Sequence, residues 1–275
     1  MKLVLILMAL ALNPPKDEKK VIFKTIPIDR PKETLLIIDN LNGDVSVEPS
    51  SDGLVHVYLE ILMEANNEQL LSKARKELEL GQYVANDSIV LFTKAPFIKK
   101  CHWGNGWGYD IRNHPKYAFK YQYKVKVPRE MSLEAKTVNN GDVVVQDMDG
   151  PVKVCNVNGA VEVKNAKIIK QASTVNGDVT INFLKAPEEA IAFNTVNGDF
   201  KFTLPNDFNA KVYFDSMNGD LYTSFDYKKL GARVTKSEKN GTFKIGTKTG
   251  IEIGSAGPEL SFKSINGNVY LKKSE

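Results

Sequence analysis

Thr174-Val175-Asn176-Gly177-Asp178-Val179 is one copy of a phrase that returns through this 275-residue chain. The others are Thr137-Val138-Asn139-Asn140-Gly141-Asp142-Val143, Asn156-Val157-Asn158-Gly159-Ala160-Val161, Thr195-Val196-Asn197-Gly198-Asp199-Phe200 and Ser216-Met217-Asn218-Gly219-Asp220-Leu221. Looser copies stand at Asn240-Gly241 and Ser264-Ile265-Asn266-Gly267-Asn268-Val269, and an early one at Asn40-Leu41-Asn42-Gly43-Asp44-Val45. Successive glycines from Gly141 to Gly267 lie 18, 18, 21, 21, 22 and 26 residues apart. A fixed period near 20 is the signature of stacked repeats, and it has to be recognised before any single motif is read.

Counting back six, four and two residues from the Asn gives Ile191, Phe193 and Thr195, or Val212, Phe214 and Ser216, or Leu260, Phe262 and Ser264, or Val152, Val154 and Asn156. Three and five residues after it come Val161 and Val163, Val179 and Ile181, Phe200 and Phe202, or Val269 and Leu271. Period two on both sides of a turn is strand alternation. Asn-Gly is a strong turn signal because both residues tolerate positive φ. Antiparallel hairpins would put the next turn within roughly 8–12 residues, which the spacing does not. One Asn-Gly corner per coil fits better, with second bends at Asp149-Gly150-Pro151, Lys185-Ala186-Pro187-Glu188 and Leu204-Pro205-Asn206-Asp207. The expected fold is all-β: a β-solenoid with coils of about 20 residues, stacked at about 4.8 Å, plus one capping helix near the N-terminus. The copy at Asn240 has Lys236 and Glu238 before its turn and reads as a degenerate rung.

The turn residues are therefore read as structural: Asn42, Gly43, Asn140, Gly141, Asn158, Gly159, Asn176, Gly177, Asn197, Gly198, Asn218, Gly219, Asn266 and Gly267. The Asn, and the Thr, Ser or Asn two positions before it, are expected to stack as hydrogen-bonded ladders just inside the bend, since an unbonded buried amide costs roughly 1–3 kcal/mol. Asp142, Asp178, Asp199 and Asp220 raise the question of calcium between coils. Nonapeptide spacing is absent and Ala160 and Asn268 interrupt the column, so no metal and no cofactor is expected. Asp beside a turn more commonly bonds local backbone N–H groups.

A net charge of +4, dispersed along alternating strands, gives no reason to expect nucleic acid. Residues 1–15 open with Lys2 and an apolar run, Leu3 to Leu12, ended by Asn13-Pro14-Pro15. That run is too short to span a bilayer and suits a signal peptide, with export to periplasm, cell surface or medium expected. A first strand is the alternative. Residues 16–128 read as a β-rich N-terminal part, with strands at 21–28, 34–39, 45–48, 54–63, 83–94 and 117–127. A helix over 67–80 is capped at Asn66 or Asn67, carries the stripe Leu70, Leu71, Ala74 and Leu78, and ends at Gly81. It is expected to cover one end of the stack, because an open end presents unpaired strand edges. Residues 129–275 are the regular repeats, whose last strand, 268–272, has no evident cap.

The segment 99–116 stands apart. It holds His102, Trp103, Trp107, Tyr109, His114 and Cys101 among alternating glycines, without strand or helix period, and reads as a loop. Flat aromatics there suit stacking on a sugar ring or a partner's apolar patch, so His102, Trp103, Trp107 and Tyr109 are the candidate ligand-binding residues. The alternative is that both tryptophans fold back onto the flank of the stack. Cys101, His102 and His114 lack recognisable zinc spacing. In an exported protein Cys101 could pair with Cys155.

Val127-Pro128, then Leu133-Glu134-Ala135-Lys136-Thr137-Val138 and the Asn-Gly-Asp units, resemble a family of secreted bacterial proteins described as putative adhesins with β-strand repeats, a domain of unknown function. Leu41-Asn42-Gly43-Asp44-Val45-Ser46-Val47 and the capped helix resemble that family's N-terminal half. The resemblance covers most of residues 21–275 and implies a solenoid with no catalytic residues to carry over. The expectation is a non-enzymatic, exported, adhesin-like protein that presents a sheet face and an aromatic loop to a glycan or surface protein. The alternatives are a polysaccharide-active β-helix enzyme, for which outward Lys153, Glu162, Thr180, Lys201 and Tyr222 supply no paired acid, and a structural polymer of end-to-end stacked coils.

Overall fold

Inward Val, Ile and Phe at every second position, with polar residues between them, make strands buried on one face. In the computed structural model these strands form two large mixed sheets and a separate two-stranded hairpin. The structure describes residues 16–85, 87–103, 106–111, 113–239, 242–255 and 257–275, without the side chains of 100–110 and 232–249. The expected leader, residues 1–15, lies outside the described residues.

The N-terminal part comprises β1 (Lys16–Ile26), β2 (Leu35–Asp39), β3 (Val45–Pro49), β4 (Val55–Ala65), α1 (Glu68–Glu77), β5 (Glu79–Val84), β6 (Ser88–Lys94), β7 (Ile98–Trp103), β8 (Gly106–Ile111) and β9 (Tyr117–Val127). The repeats follow as β10 (Ser132–Lys136), β11 (Val143–Gln146), β12 (Pro151–Cys155), β13 (Val161–Ala166), β14 (Ile168–Ser173), β15 (Val179–Phe183), β16 (Ile191–Asn194) and β17 (Phe200–Leu204). Last come β18 (Ala210–Asp215), β19 (Leu221–Thr223), β20 (Tyr227–Lys239), β21 (Thr242–Ile253), β22 (Glu259–Lys263) and β23 (Val269–Lys273).

The first sheet runs β1-β4-β9-β3-β11-β13-β15-β17-β23-β19, the second β20-β21-β18-β22-β16-β14-β12-β10-β2-β6-β5. Each Asn-Gly corner carries the chain from a strand of the second sheet to a strand of the first, and neighbouring coils pair in parallel. Equivalent residues therefore lie over one another: Val45, Val143, Val161, Val179, Phe200 and Val269 form one column. Val47, Val145, Val163, Ile181, Phe202 and Leu271 form the next, and all of these are buried.

Chain order and stacking order part at the C-terminus. The last coil, β22–β23, lies between β16–β17 and β18–β19: Phe193 pairs with Phe262, which pairs with Phe214. The strand expected to end the stack uncapped is interior, and three-residue β19 forms that edge. The physical reason is burial. The last coil sets Leu260, Phe262, Val269 and Leu271 fully inside, whereas the coil at Asn218 leaves Leu221 and Phe214 partly exposed and puts Thr223 opposite Leu271. The stretch around Asn240-Gly241 is likewise not a degenerate rung. β20 and β21 pair antiparallel with Lys239 opposite Thr242, and residues 240–241 themselves lie outside the described residues.

At the other end, β4 and β1 continue the first sheet antiparallel beyond β9. Helix α1 packs on β4, β1 and β9, with Leu71 and Ala74 buried and Asn67 accepting from the Leu70 N–H at 2.9 Å. It stops at Glu77 rather than 80. Leu78 is the C-cap, and Gly81 belongs to β5, where a Cβ would stand 2.2 Å from the Phe92 ring.

Candidate functional site

The corner asparagines form a one-way ladder. Asn158 donates to Asn139, Asn176 to Asn158, Asn197 to Asn176, Asn266 to Asn197 and Asn218 to Asn266, all at 2.7–2.8 Å between Nδ2 and Oδ1. Asn140 donates to Asn42 in the same way at 2.8 Å. This ladder runs along the exposed edge of the corner, not inside the bend as expected. The ladder inside belongs to the residues two positions earlier. Thr137 donates to the Gly43 carbonyl at 2.7 Å, Asn156 to that of Gly141 at 2.9 Å and Thr174 to that of Gly159 at 2.8 Å, and all three are buried. The aspartates accept from backbone N–H groups as turn chemistry suggests, but across coils: Asp142 from Ala160, Asp178 from Asp199, and Asp199 from Asn268, at 2.7–2.9 Å. Most of these recurrent polar groups thus serve coil-to-coil bonding.

The Trp-bearing segment is a hairpin rather than a loop. β7 and β8 pair antiparallel, with Cys101 opposite Gly108, His102 opposite Trp107 and Trp103 opposite Gly106. The side chains of Cys101, His102, Trp103, Trp107 and Tyr109 lie outside the described residues. Cys155 is a free thiol. Burial pushes the Cys155 thiol up, and the Ser173 hydroxyl donates to its Sγ at 3.4 Å. Among the described residues no group of three His, Cys, Asp or Glu is placed to hold a metal ion. Of the residues read as outward, Glu162, Thr180, Lys201 and Tyr222 share a row across the first sheet, while Lys153 stands on β12 in the second.

That row continues toward the N-terminus into a groove the sequence reading missed. Phe23 on β1 lies opposite Tyr58 on β4, which lies opposite Lys124 on β9, which pairs with Ser46 on β3. The groove measures about 570 Å³ and also takes in Lys24, Thr25, Glu48, His56 and Lys126. Phe23 is 73% exposed, and its ring centroid lies 4.7 Å from that of Tyr58 at a 60° tilt. The Lys124 ammonium stands 5.7 Å from the Tyr58 ring centre. The Tyr58 hydroxyl donates to Glu60, which also pairs with Lys19 at 2.9 Å. These bonds hold the Glu60 carboxyl below its ordinary range and push the phenol up. Lys126 pairs with Glu48 at 3.0 Å, and His56 Nε2 lies 2.8 Å from the Asp52 carboxylate. The Leu54 N–H, and then His56, keep Asp52 below the usual carboxylate range. The legible signal was the alternation of β9, where Lys120, Lys124 and Lys126 face out against buried Tyr121, Tyr123 and Val125.

The class these features define is a two-sheet β protein of repeated parallel coils, capped by one helix. The Toastrack DUF4097 family model matches residues 18–250, and the chain belongs to that family. The resemblance carried by the Asn-Gly-Asp units is thereby confirmed. No curated protein matches the chain. Among solved structures, one described as a putative cell adhesion protein from Clostridium sporogenes is 12% identical, covers 95% of this chain and 100% of its own, and has a TM-score of 0.41. A putative lipid binding protein from Parabacteroides distasonis is 16% identical over 93% of this chain and 97% of its own, with a TM-score of 0.31. A putative adhesin from Bacteroides fragilis is 12% identical over 92% and 97%, also with a TM-score of 0.31.

Proposed function

We propose that this chain is a non-enzymatic, exported, adhesin-like protein whose coils form one β-solenoid and whose outer sheet face and Trp-bearing hairpin bind a surface partner, glycan or protein. Residues 1–15 are its leader, 16–128 the part bearing helix and hairpin, and 129–275 the repeats. The observation that carries the reading is the division of labour at the corners. Recurrent Asn, Thr and Asp groups bond coil to coil, while an exposed aromatic, Phe23, packed on a half-buried Tyr58, is left facing solvent beside lysines. A large exposed aromatic has little stabilising role in a monomer and is a common anchor of binding surfaces. No helix among the described residues is long and apolar enough to cross a membrane.

A glycan and matrix-protein binding screen tests this, comparing the wild type with Trp103→Ala/Trp107→Ala. Binding of at least one partner by the wild type, weakened in the double variant, is the expected result. Equal binding by both removes the hairpin from the reading, and no binding by the wild type removes the reading itself.

A further inference from the structure

We propose that the groove across β1, β4, β9 and β3 is a subsite for an acidic polysaccharide, with a uronate carboxylate on Lys124 and the apolar face of a sugar ring on Phe23. The inference rests on the reading of the outer sheet face as a binding face and names what that face takes.

Three observations converge. The first is the platform. Phe23 stands at an outward position of an edge strand, steadied by Tyr58 and still 73% exposed, so one ring face is free to stack on the C–H face of a pyranose. The second is a cation that makes no ion pair of its own, with Glu60 close enough to feel its charge. Glu60 is occupied by Tyr58 and Lys19, Glu48 by Lys126 and Asp52 by His56, and no carboxylate among the described residues lies within ion-pair distance of Lys124. Its ammonium stands over the Tyr58 ring, one strand spacing from the aromatic pair. The third is shape. Phe23, Tyr58, Lys124 and Ser46 sit side by side on four adjacent strands, a row of about 14 Å at ~4.8 Å per strand. A row of that length suits a short stretch of oligosaccharide lying across the strands, with Ser46, Thr25 and Glu48 as hydrogen-bonding groups for its hydroxyls. The volume falls within the roughly 300–1,000 Å³ of small-ligand sites.

Charge separates this groove from its neighbour. The adjoining pocket, about 540 Å³, sets Asp17, Glu18 and Glu64 against Lys19 and Lys120 and does not attract an anion. The groove is lined by Lys24, Lys124 and Lys126 with Glu48, while the Glu60 and Asp52 carboxylates beside it are taken up by Tyr58, Lys19 and His56. A lipid headgroup would satisfy Lys124, but Val21 is the one exposed aliphatic neighbour of Phe23 along β1 among the described residues, too little apolar surface to enter a bilayer. A carboxylated sugar satisfies both the ring and the ammonium.

The test is calorimetric titration of the full chain with polygalacturonate, with its fully methyl-esterified counterpart, and with equimolar phosphatidylglycerol–phosphatidylcholine vesicles. Polygalacturonate is expected to bind, the neutral ester at least tenfold more weakly, and added salt to weaken binding. Phe23→Ala and Lys124→Gln are each expected to lower affinity about five- to tenfold. Both side chains are exposed, so melting temperatures should stay within about 2 °C of wild type. The subsite is overturned by wild-type affinity in both groove variants, by equal affinity for acid and ester, by binding to vesicles alone, or by no binding of polygalacturonate. If the wild type still binds another partner in the broader screen, the adhesin-like reading survives that loss.

Discussion

Gly198 shows why the corner needs glycine. Its φ is +149°, and a Cβ there would stand 1.9 Å from the carbonyl oxygen of Gly177 in the coil below. The constraint is the approach of one corner to the next, so Gly198→Ala must push two coils apart. A loss of about 3 kcal/mol or more is expected, seen as a fall in melting temperature of several degrees, whereas Gly231→Ala, with nothing within 4 Å, should be near neutral. The sequence made the turn legible but not this reason for it, because Asn-Gly is equally the signature of a hairpin. A milder effect is expected beside the corner, at Asp178. Partial burial pushes its carboxyl up, but Lys201 at 2.6 Å and the Asp199 N–H at 2.9 Å outweigh that and hold it below its usual range. A depressed folded-state value means stability that is present above the unfolded-state value and lost as pH falls through the folded one. Asp178→Asn keeps an oxygen for the Asp199 N–H and loses the ion pair with Lys201. The pair is well exposed, so the cost at pH 7 should be under about 1 kcal/mol. Denaturant titrations at stepped pH should show that difference vanish between about pH 5 and pH 2.

Elements were legible where their signal is local. The cap at Asn67 and the stripe Leu71, Ala74 and Leu78 place α1 correctly, and Asn67→Ala is expected to cost about 0.5–2 kcal/mol in urea unfolding. An unchanged midpoint would mean that the cap bond to Leu70 contributes nothing. The helix end was misjudged because glycine has two meanings. Gly81 reads as a helix stop, yet it is the residue that lets β5 pass the Phe92 ring. Glycine hides β7 and β8 in the same way. With Gly104, Gly106 and Gly108 in the run, the alternation of Trp107, Tyr109 and Ile111 reads as a glycine-rich loop, though the backbones pair in register. The groove escaped notice for a different cause. Its four central residues come from four strands distant in sequence, and only the pairing of β1, β4, β9 and β3 brings Phe23, Tyr58, Lys124 and Ser46 into one row.

At the scale of the whole molecule the repeats fixed what a coil looks like but not which coil lies on which. Asn266 donates to Asn197 and Asn218 to Asn266, but both carry the same amide, so the ladder cannot choose between them; apolar volume can. Phe262 stacks on Phe193 at 5.2 Å and 21° and touches the rings of Phe200 and Phe202, so the last coil fills the slot above β16–β17. Its position makes the C-terminus an internal part of both sheets. Ending the chain at Pro258 would remove β22 and β23 and take one partner strand from each of β16, β17 and β18, and from β19 its partner β23. Loss of an end coil exposes one coil face, whereas loss of an interior coil exposes two, and nearest-neighbour stacking is the main source of stability in such arrays. The truncated chain is therefore expected to melt about 10 °C or more below the full chain and over a broader range, by circular dichroism at matched concentration. The competing outcome is specific: Asn218 closes directly onto Asn197, the coils stack in chain order, and the melt stays within a few degrees of the full chain. That result would mean the amide ladder, and not the phenylalanine cluster, decides the order of the coils.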